Sequence, residues 1–331
     1  MREPFVTARI SKLAKKLKAE IILEPEYKFV GYITFANGKR TIFRDTSFNI
    51  NALGSVQIAK DKAYASYFLN EFGFKVPKWQ TAFSKKLNEN IKIKRDENDG
   101  YKFAEQIGFP VIVKPNDKSK GEGVFKVHDK DEYFFAANQI LNENKVMLIQ
   151  EFCEGRDFRI VVLNGEVISA YERTALTIIG NGKSTIKQLL QELQTEFKTI
   201  GRDTKIEFED LRLTQNLKRN NLTFESVLEN QKELKLLENA NLSSGGSAFD
   251  FTDTIHEDFK KLAIDVTDKM CLKLCGVDIL TSDITQQIKD YKIIEINAAP
   301  GLDNYAFLGE KQDKRVDDLY LKILLTLQNE Q

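Results

Sequence analysis

Apolar positions at helical spacing over 10–17 predict a short amphipathic helix, and 19–23, 29–35 and 40–43 read as strands, the last two joined by a turn at Asn37-Gly38. Val56, Ala59, Ala63, Tyr67 and Leu69 continue a helical period over 55–72, which Gly73 and Pro77 close. The charged run 88–100 predicts an exposed loop, followed by a helix over 101–107. A buried strand over 109–115 and a return strand over 125–127 follow, then a helix over 131–141 and a strand over 146–153. Strands at 159–163 and 166–171 form a hairpin over Asn164-Gly165. The stretch 191–239 is charged, mostly helical and weakly patterned, and reads as an insertion. Thr254 and Glu257 have the spacing of a capping box, opening a helix with Phe259, Leu262, Ala263, Val266, Met270 and Leu274 on one face. Two strands, 276–280 and 291–297, complete the pattern.

The polar residues that interrupt these apolar strands carry the candidate chemistry. Alternate side chains of a strand share a face, so Glu295 and Asn297 point the same way, and Asp278 is the one carboxylate of the preceding strand. Two carboxylates and an amide oxygen suit Mg²⁺, which binds through few protein ligands plus substrate phosphates. Polar residues alternate in the same way on a half-solvated antiparallel strand. A second constellation narrows the choice. The strand 109–115 carries Lys114 near its end, and the loop Ser119-Lys120-Gly121-Glu122-Gly123 follows it, able to lie over phosphates with its backbone N–H groups. A plain hairpin turn is the ordinary reading of a lone Gly-x-Gly. Further on, Gln150 and nearby backbone groups are offered to an adenine edge, Asp157 to ribose hydroxyls, and 241–247 brings backbone donors toward an oxyanion.

Composition removes several classes of function. In 331 residues, Lys+Arg 49 balance Asp+Glu 49, so no bulk field favours nucleic acid or an anionic membrane. Cys153, Cys271 and Cys275 are too few for a disulfide scaffold and lack a zinc pattern. Neither a signal peptide nor a membrane span is expected, and a reducing cytoplasm fits. Gly180-Asn181-Gly182-Lys183-Ser184-Thr185 mimics a P-loop, but the first glycine that motif needs falls at Thr177. It reads as a turn whose Ser184 or Thr185 caps a helix running through 193. His128 and His256 sit beside no Ser or Cys nucleophile, which argues against triad chemistry, and His256 reads as a helix-end residue.

As an ordered set, Lys114-Pro115, the loop 119–123, Gln150-Glu151-Phe152 with Asp157, Asn241-Leu242-Ser243-Ser244-Gly245-Gly246, Gly276-Val277-Asp278 and Glu295-Ile296-Asn297 resemble the ATP-grasp superfamily of carboxylate–amine ligases. Glu172-Arg173-Thr174, the Gly-Asn-Gly-Lys-Ser-Thr-Ile turn and the Asn-Leu-Ser-Ser-Gly-Gly loop look most like the ATP-grasp module of cyanophycin synthetase and of bifunctional glutathione synthetases. The likeness spans about residues 55 to 310. It implies an α+β fold in which two subdomains clasp ATP between antiparallel sheets. The expected organisation is a short N-terminal element at 1–54, a helical linker part at 55–108, a small subdomain with the phosphate loop at 109–155, and a large subdomain at 156–331 with an insertion at about 181–239.

The resemblance also implies roles. Lys114 and Lys62 would hold ATP phosphates, with Ser119, Lys120, Gly121 and Gly123 closing over them. Gln150, Glu151, Phe152 and the Cys153 backbone would meet adenine, and Asp157 the ribose. Asp278, Glu295 and Asn297 would bind two Mg²⁺, with Mn²⁺ as a substitute. Asn241, Ser243, Gly245 and Gly246 would approach an acyl phosphate. In D-alanine:D-alanine ligases an arginine stands two positions before the metal-binding Asp. Here that position is Gly276, which leaves Arg173 or Arg159 to stabilise the oxyanion. Leu302-Asp303-Asn304-Tyr305 departs from the substrate-facing segment of the cyanophycin enzymes. The implied function is amide or peptide bond formation from ATP, giving ADP and phosphate. The implied substrates are a small amino acid or peptide, or a peptide or protein tail, and the family often forms homodimers or tetramers. A phosphotransferase and a non-catalytic nucleotide-binding module are the rival readings.

Overall fold

Asp61 ends one helix and starts the next, because its backbone is extended (φ −91°, ψ 105°) and its carboxylate accepts the Tyr64 N–H. The single helix expected over 55–72 is therefore two, Leu53–Lys60 and Lys62–Glu71. The structure is a computed structural model and describes residues 3–119, 121–200, 202 and 204–329. It divides the chain into two compact units, each assembled from separated pieces: Met1–Lys75, Phe158–Glu172 and Phe249–Gln331 in the first, Val76–Asp157 and Arg173–Ala248 in the second. Both mix helices with sheets, as the α+β expectation requires.

In the first unit, the helix Phe5–Lys16 precedes an antiparallel four-stranded sheet of Glu20–Leu23, Val30–Thr34, Arg40–Arg44 and Ser47–Phe48. A five-stranded sheet follows in the order Ser247–Asp250, Glu166–Thr174, Arg156–Leu163, Leu274–Thr281, Lys292–Asn297. The helix Glu257–Lys269 packs on it. Its N-cap is His256, whose Nδ1 accepts the Asp258 N–H at 3.2 Å, while Thr254 donates to the Phe251 carbonyl. His256 thus takes the place expected for Thr254. The helix Glu310–Asn329 buries Val316, Leu319, Tyr320, Ile323, Leu324 and Leu327 and packs against Phe5–Lys16.

In the second unit, the antiparallel sheet Trp79–Phe83, Val146–Glu151, Val111–Pro115, Phe125–Val127 is covered by the helices Glu97–Ile107 and Lys130–Glu143. Their shared core includes Val111, Val113, Tyr133, Ile140, Met147 and Ile149. The helix Glu97–Ile107 begins inside the stretch expected to be loop, because Asp96 and Asp99 form a capping box. A second apolar cluster, with Leu190, Phe197, Leu213, Leu217, Leu228 and Leu236, joins the helices Ile186–Thr199 and Leu211–Arg219 to the strand pair Thr177–Ile179 and Glu233–Lys235. Thr185 caps the first of these helices in a capping box with Gln188, so the P-loop mimic is a turn and cap. No described helix is long and apolar enough to cross a membrane.

Candidate functional site

The strands Leu274–Thr281 and Lys292–Asn297 of the first unit carry the three expected metal ligands. Their register sets Asp278 directly opposite Glu295 and Gly276 opposite Asn297. Like charges facing across a strand pair repel, and here each carboxylate has a cation of its own. Arg159 donates from Nε and Nη2 to the two oxygens of Asp278, each bond 2.7 Å, and Lys62 Nζ lies 3.5 Å from Glu295 Oε1. Asp278 is 1% exposed. Burial opposes the charge on Arg159, but the adjacent Asp278 outweighs it and holds the guanidinium pKa above its ordinary value. Gly276 leaves room for this pair, since a Cβ there would come 3.0 Å from Pro300 Cβ and 3.5 Å from Arg159 Cδ.

Asn297 Nδ2 approaches Asp278 Oδ2 at 3.5 Å, which leaves the amide oxygen of Asn297 as an acceptor. Asp278, Glu295 and that oxygen form a hard-oxygen set matching Mg²⁺. Among the described residues no group of three or more His, Cys, Asp or Glu side chains could hold a metal ion. A set of only two carboxylates suits an ion whose remaining ligands are phosphate oxygens and water. Cys275, nearby on the same strand, has a thiol pushed up to about 12 by burial, so it stays protonated and is no nucleophile.

In the second unit, the strands Val111–Pro115 and Val146–Glu151 bring Lys114 and Gln150 onto one face, and Lys114 Nζ donates to Gln150 Oε1 at 2.8 Å. Both side chains are buried. This bond fixes the Gln150 amide, whose buried Nε2 has no hydrogen-bond partner among the described residues. An unsatisfied buried donor costs about 1–3 kcal/mol, and an acceptor on a bound nucleotide base would recover it. Glu151 Oε2 accepts the Lys78 N–H at 3.0 Å, and Lys126 Nζ sits 4.0 Å from the Phe152 ring centroid. The Cys153 thiol reaches the Glu151 carbonyl at 3.9 Å. Asp157 accepts the Nε–H of Arg173 at 3.0 Å and a second bond from its Nη2, so the residue expected at ribose and one expected at the oxyanion form an ion pair.

Gly121 and Gly123 of the phosphate loop adopt φ of +70° and +66°, and a Cβ on Gly121 would sit 2.2 Å from Asn239 Nδ2. Ser119 is exposed, and Lys120 lies outside the described residues. Arg212 donates to the Gly121 carbonyl while also holding Asp210. The loop 241–246 differs from the expectation of free backbone donors. The N–H of Ser243 bonds Asn241 Oδ1, those of Ser244 and Gly246 bond the Asn241 carbonyl, and that of Gly245 bonds the Leu242 carbonyl. The Ser243 hydroxyl also donates to Asn241 Oδ1, at 3.0 Å. Gly246 would bring a Cβ to 2.1 Å from the Thr174 carbonyl oxygen. Arg202 stacks on Phe197 at 4.3 Å, bonds the Gly246 carbonyl at 2.6 Å and also bonds that of Leu242. Neither Arg202 nor Arg212 was legible in sequence, because carbonyl partners leave no pattern and both lie in a charged insertion.

The comparisons with known proteins follow the same residues. The model of the RimK-like ATP-grasp domain matches residues 81–187 and 237–316, more than half of the chain. The chain belongs to the RimK-like ATP-grasp family. Residues 188–236, which contribute Arg202 and Arg212, fall outside this ATP-grasp match. Among curated relatives, the glutathione biosynthesis bifunctional protein of Clostridium perfringens is 25% identical over 305 residues, covering 88% of this chain and 38% of its own length. Cyanophycin synthetase of Trichormus variabilis is 36% identical over 201 residues, covering 59% of this chain and 22% of its own length. The ATP-grasp chain thus spans well under half the length of these relatives. The crystal structure of a bifunctional glutathione synthetase from Pasteurella multocida superposes with TM-score 0.57 at 19% identity, covering 96% of this chain and 44% of the other. D-alanine–D-alanine ligase from Bacillus anthracis gives TM-score 0.51 at 14% identity, covering 85% and 72%. Both share the ATP-grasp fold.

Proposed function

We propose that the chain is an ATP-dependent carboxylate–amine ligase. A carboxylate oxygen of one substrate attacks the γ-phosphorus of ATP and ADP leaves; the amine of a second substrate then attacks the acyl carbon and phosphate leaves. The observation that carries this reading is the opposed pair Asp278 and Glu295 with Asn297 beside it, each carboxylate balanced by a buried cation. Such a set serves phosphoryl transfer, where positioned charge does most of the work.

Asp278, Glu295 and Asn297 would hold Mg²⁺, with two ions, or Mn²⁺ in their place, as part of this reading. When bound, the metal neutralises charge on the triphosphate. Lys114 contributes a point positive charge to the nucleotide phosphates, and Gln150 Nε2 donates to its base. Lys62 and Arg159 hold the carboxylates apart in charge and in position before any ion arrives. Asn241 faces the acyl group with its side-chain amide, which Ser243 orients by donating from its hydroxyl and its backbone N–H to Asn241 Oδ1. Relatives named for glutathione and cyanophycin synthesis support a small amino acid or peptide as carboxylate donor and amine acceptor, with a peptide or protein tail as the further substrate class.

Phosphate release from Mg-ATP, measured against amino acids and short peptides singly and in pairs with mass spectrometry of each positive pool, tests the proposal. Release that requires two components, with a condensed mass, is expected. A single component that gains a phosphate mass would instead identify a kinase.

A further inference from the structure

The sheet Glu20–Leu23, Val30–Thr34, Arg40–Arg44 buries one face within its own unit and leaves the other in solvent. On the outer face Ile22, Tyr32 and Ile42 lie directly opposite one another across three strands, 70%, 36% and 52% exposed. This apolar row is flanked by charge of opposite sign on its two outer strands. Glu20 stands in line with Thr34 and Arg40, and Val30 in line with Arg44. Glu24 extends the first strand by one step, its N–H bonding the Val30 carbonyl. One side therefore reads Glu-Ile-Glu and the other Arg-Ile-Arg. Among the described residues Glu20, Arg40 and Arg44 make no ion pair within the chain.

We infer that this face is the interface of a homodimer, packed sheet on sheet about a two-fold axis along the central strand Val30–Thr34. An isologous contact requires a surface complementary to itself, and that axis supplies it. It sets Glu20 against Arg40 of the second copy, Glu24 against its Arg44, Ile22 against its Ile42, and Tyr32 against its own counterpart. An axis across the strands would oppose Glu20 to Glu24 and Arg40 to Arg44, which like-charge repulsion disfavours. Two sheets meeting face to face with nearly aligned strands are an ordinary packing, and an uncovered apolar row is otherwise a liability.

Sedimentation velocity of the full chain over a concentration series tests this. The wild-type chain is expected to dimerise. Glu20→Arg and Arg40→Glu are each expected to raise the dimer dissociation constant by about tenfold or more. Mixing these two variants restores opposite charges at both contacts, so a heterodimer of wild-type affinity is expected. The double variant should recover the homodimer. A wild-type chain that stays monomeric overturns the inference. So does a dimer that both single variants leave intact, which would be held elsewhere, for example by edge-strand pairing. A mixture that remains monomeric while each variant melts like the wild type does the same, whereas a recovered heterodimer separates a lost interface from a damaged fold.

Discussion

Asp278 and Glu295 face each other yet differ in what they hold up. Asp278 is buried and is the bidentate partner of the Arg159 guanidinium, whereas Glu295 is part-exposed and meets Lys62 at 3.5 Å. Removing one partner of a buried ion pair strands the other charge. Asp278→Ala is therefore expected to lose about 3 kcal/mol of stability, read by thermal melting. Glu295→Gln should melt near the wild type and show no Mg-ATP turnover; normal turnover in that variant would defeat the metal assignment. Tyr320 is a residue of the opposite kind. Its hydroxyl is buried without a hydrogen-bond partner among the described residues, and burial pushes the phenol pKa above its ordinary value. Tyr320→Phe is expected to leave stability unchanged or raise it by up to about 1 kcal/mol, and a clear loss in the melt would reveal a partner for that oxygen.

The loop 241–246 is positioned by contacts that admit no side chain at Gly246. Gly246→Ala would force the new Cβ away from the Thr174 and Asn241 carbonyls, at 2.1 and 2.8 Å. It should cost about 1–3 kcal/mol and lower turnover more than nucleotide affinity, checked by separate titrations of rate and binding. The strands that carry Lys114, Gln150, Asp278 and Glu295 were legible because each is an apolar run broken by a few polar residues. Helix limits were less so. Asp61 reads equally as a polar position within a helix and as the cap of a new one, and the cap at Asp96 is hidden in a run of charges. Thr254 has the right spacing for a cap, but the chain turns so that His256 fills the place. The helix Glu310–Asn329 has a regular apolar face, a signal that the sequence itself carries. Pairings such as Asp157 with Arg173 need the fold, since neither residue announces which of its partners will prevail.

Acid stability belongs to the molecule as a whole, because several carboxylates tie distant segments together. Asp250 accepts from Thr252, Gln312 and Arg315, and Asp317 from Arg9 and Lys12. Burial alone would raise both pKa values, but these donors outweigh it and hold both below the ordinary aspartate value. A carboxyl depressed in the folded state stabilises fully above its unfolded pKa and loses that contribution as pH falls through its folded one. Stability should therefore be level near neutrality and decline as pH drops below about 4. An Asp250→Asn chain should show a shallower decline in melting temperature against pH. The pairing of Phe5–Lys16 with Glu310–Asn329 also bears on how the chain is made. Synthesis runs from one end to the other, so the helix Phe5–Lys16, which buries Val6, Ile10 and Leu13, leaves the ribosome long before the helix Glu310–Asn329 that packs against it. The second unit, complete at Ala248, can fold during that interval, while the first can close only after Glu310–Asn329 emerges. Nascent chains stalled before Glu310 should accordingly hold a protease-resistant second unit and a first unit still open to digestion.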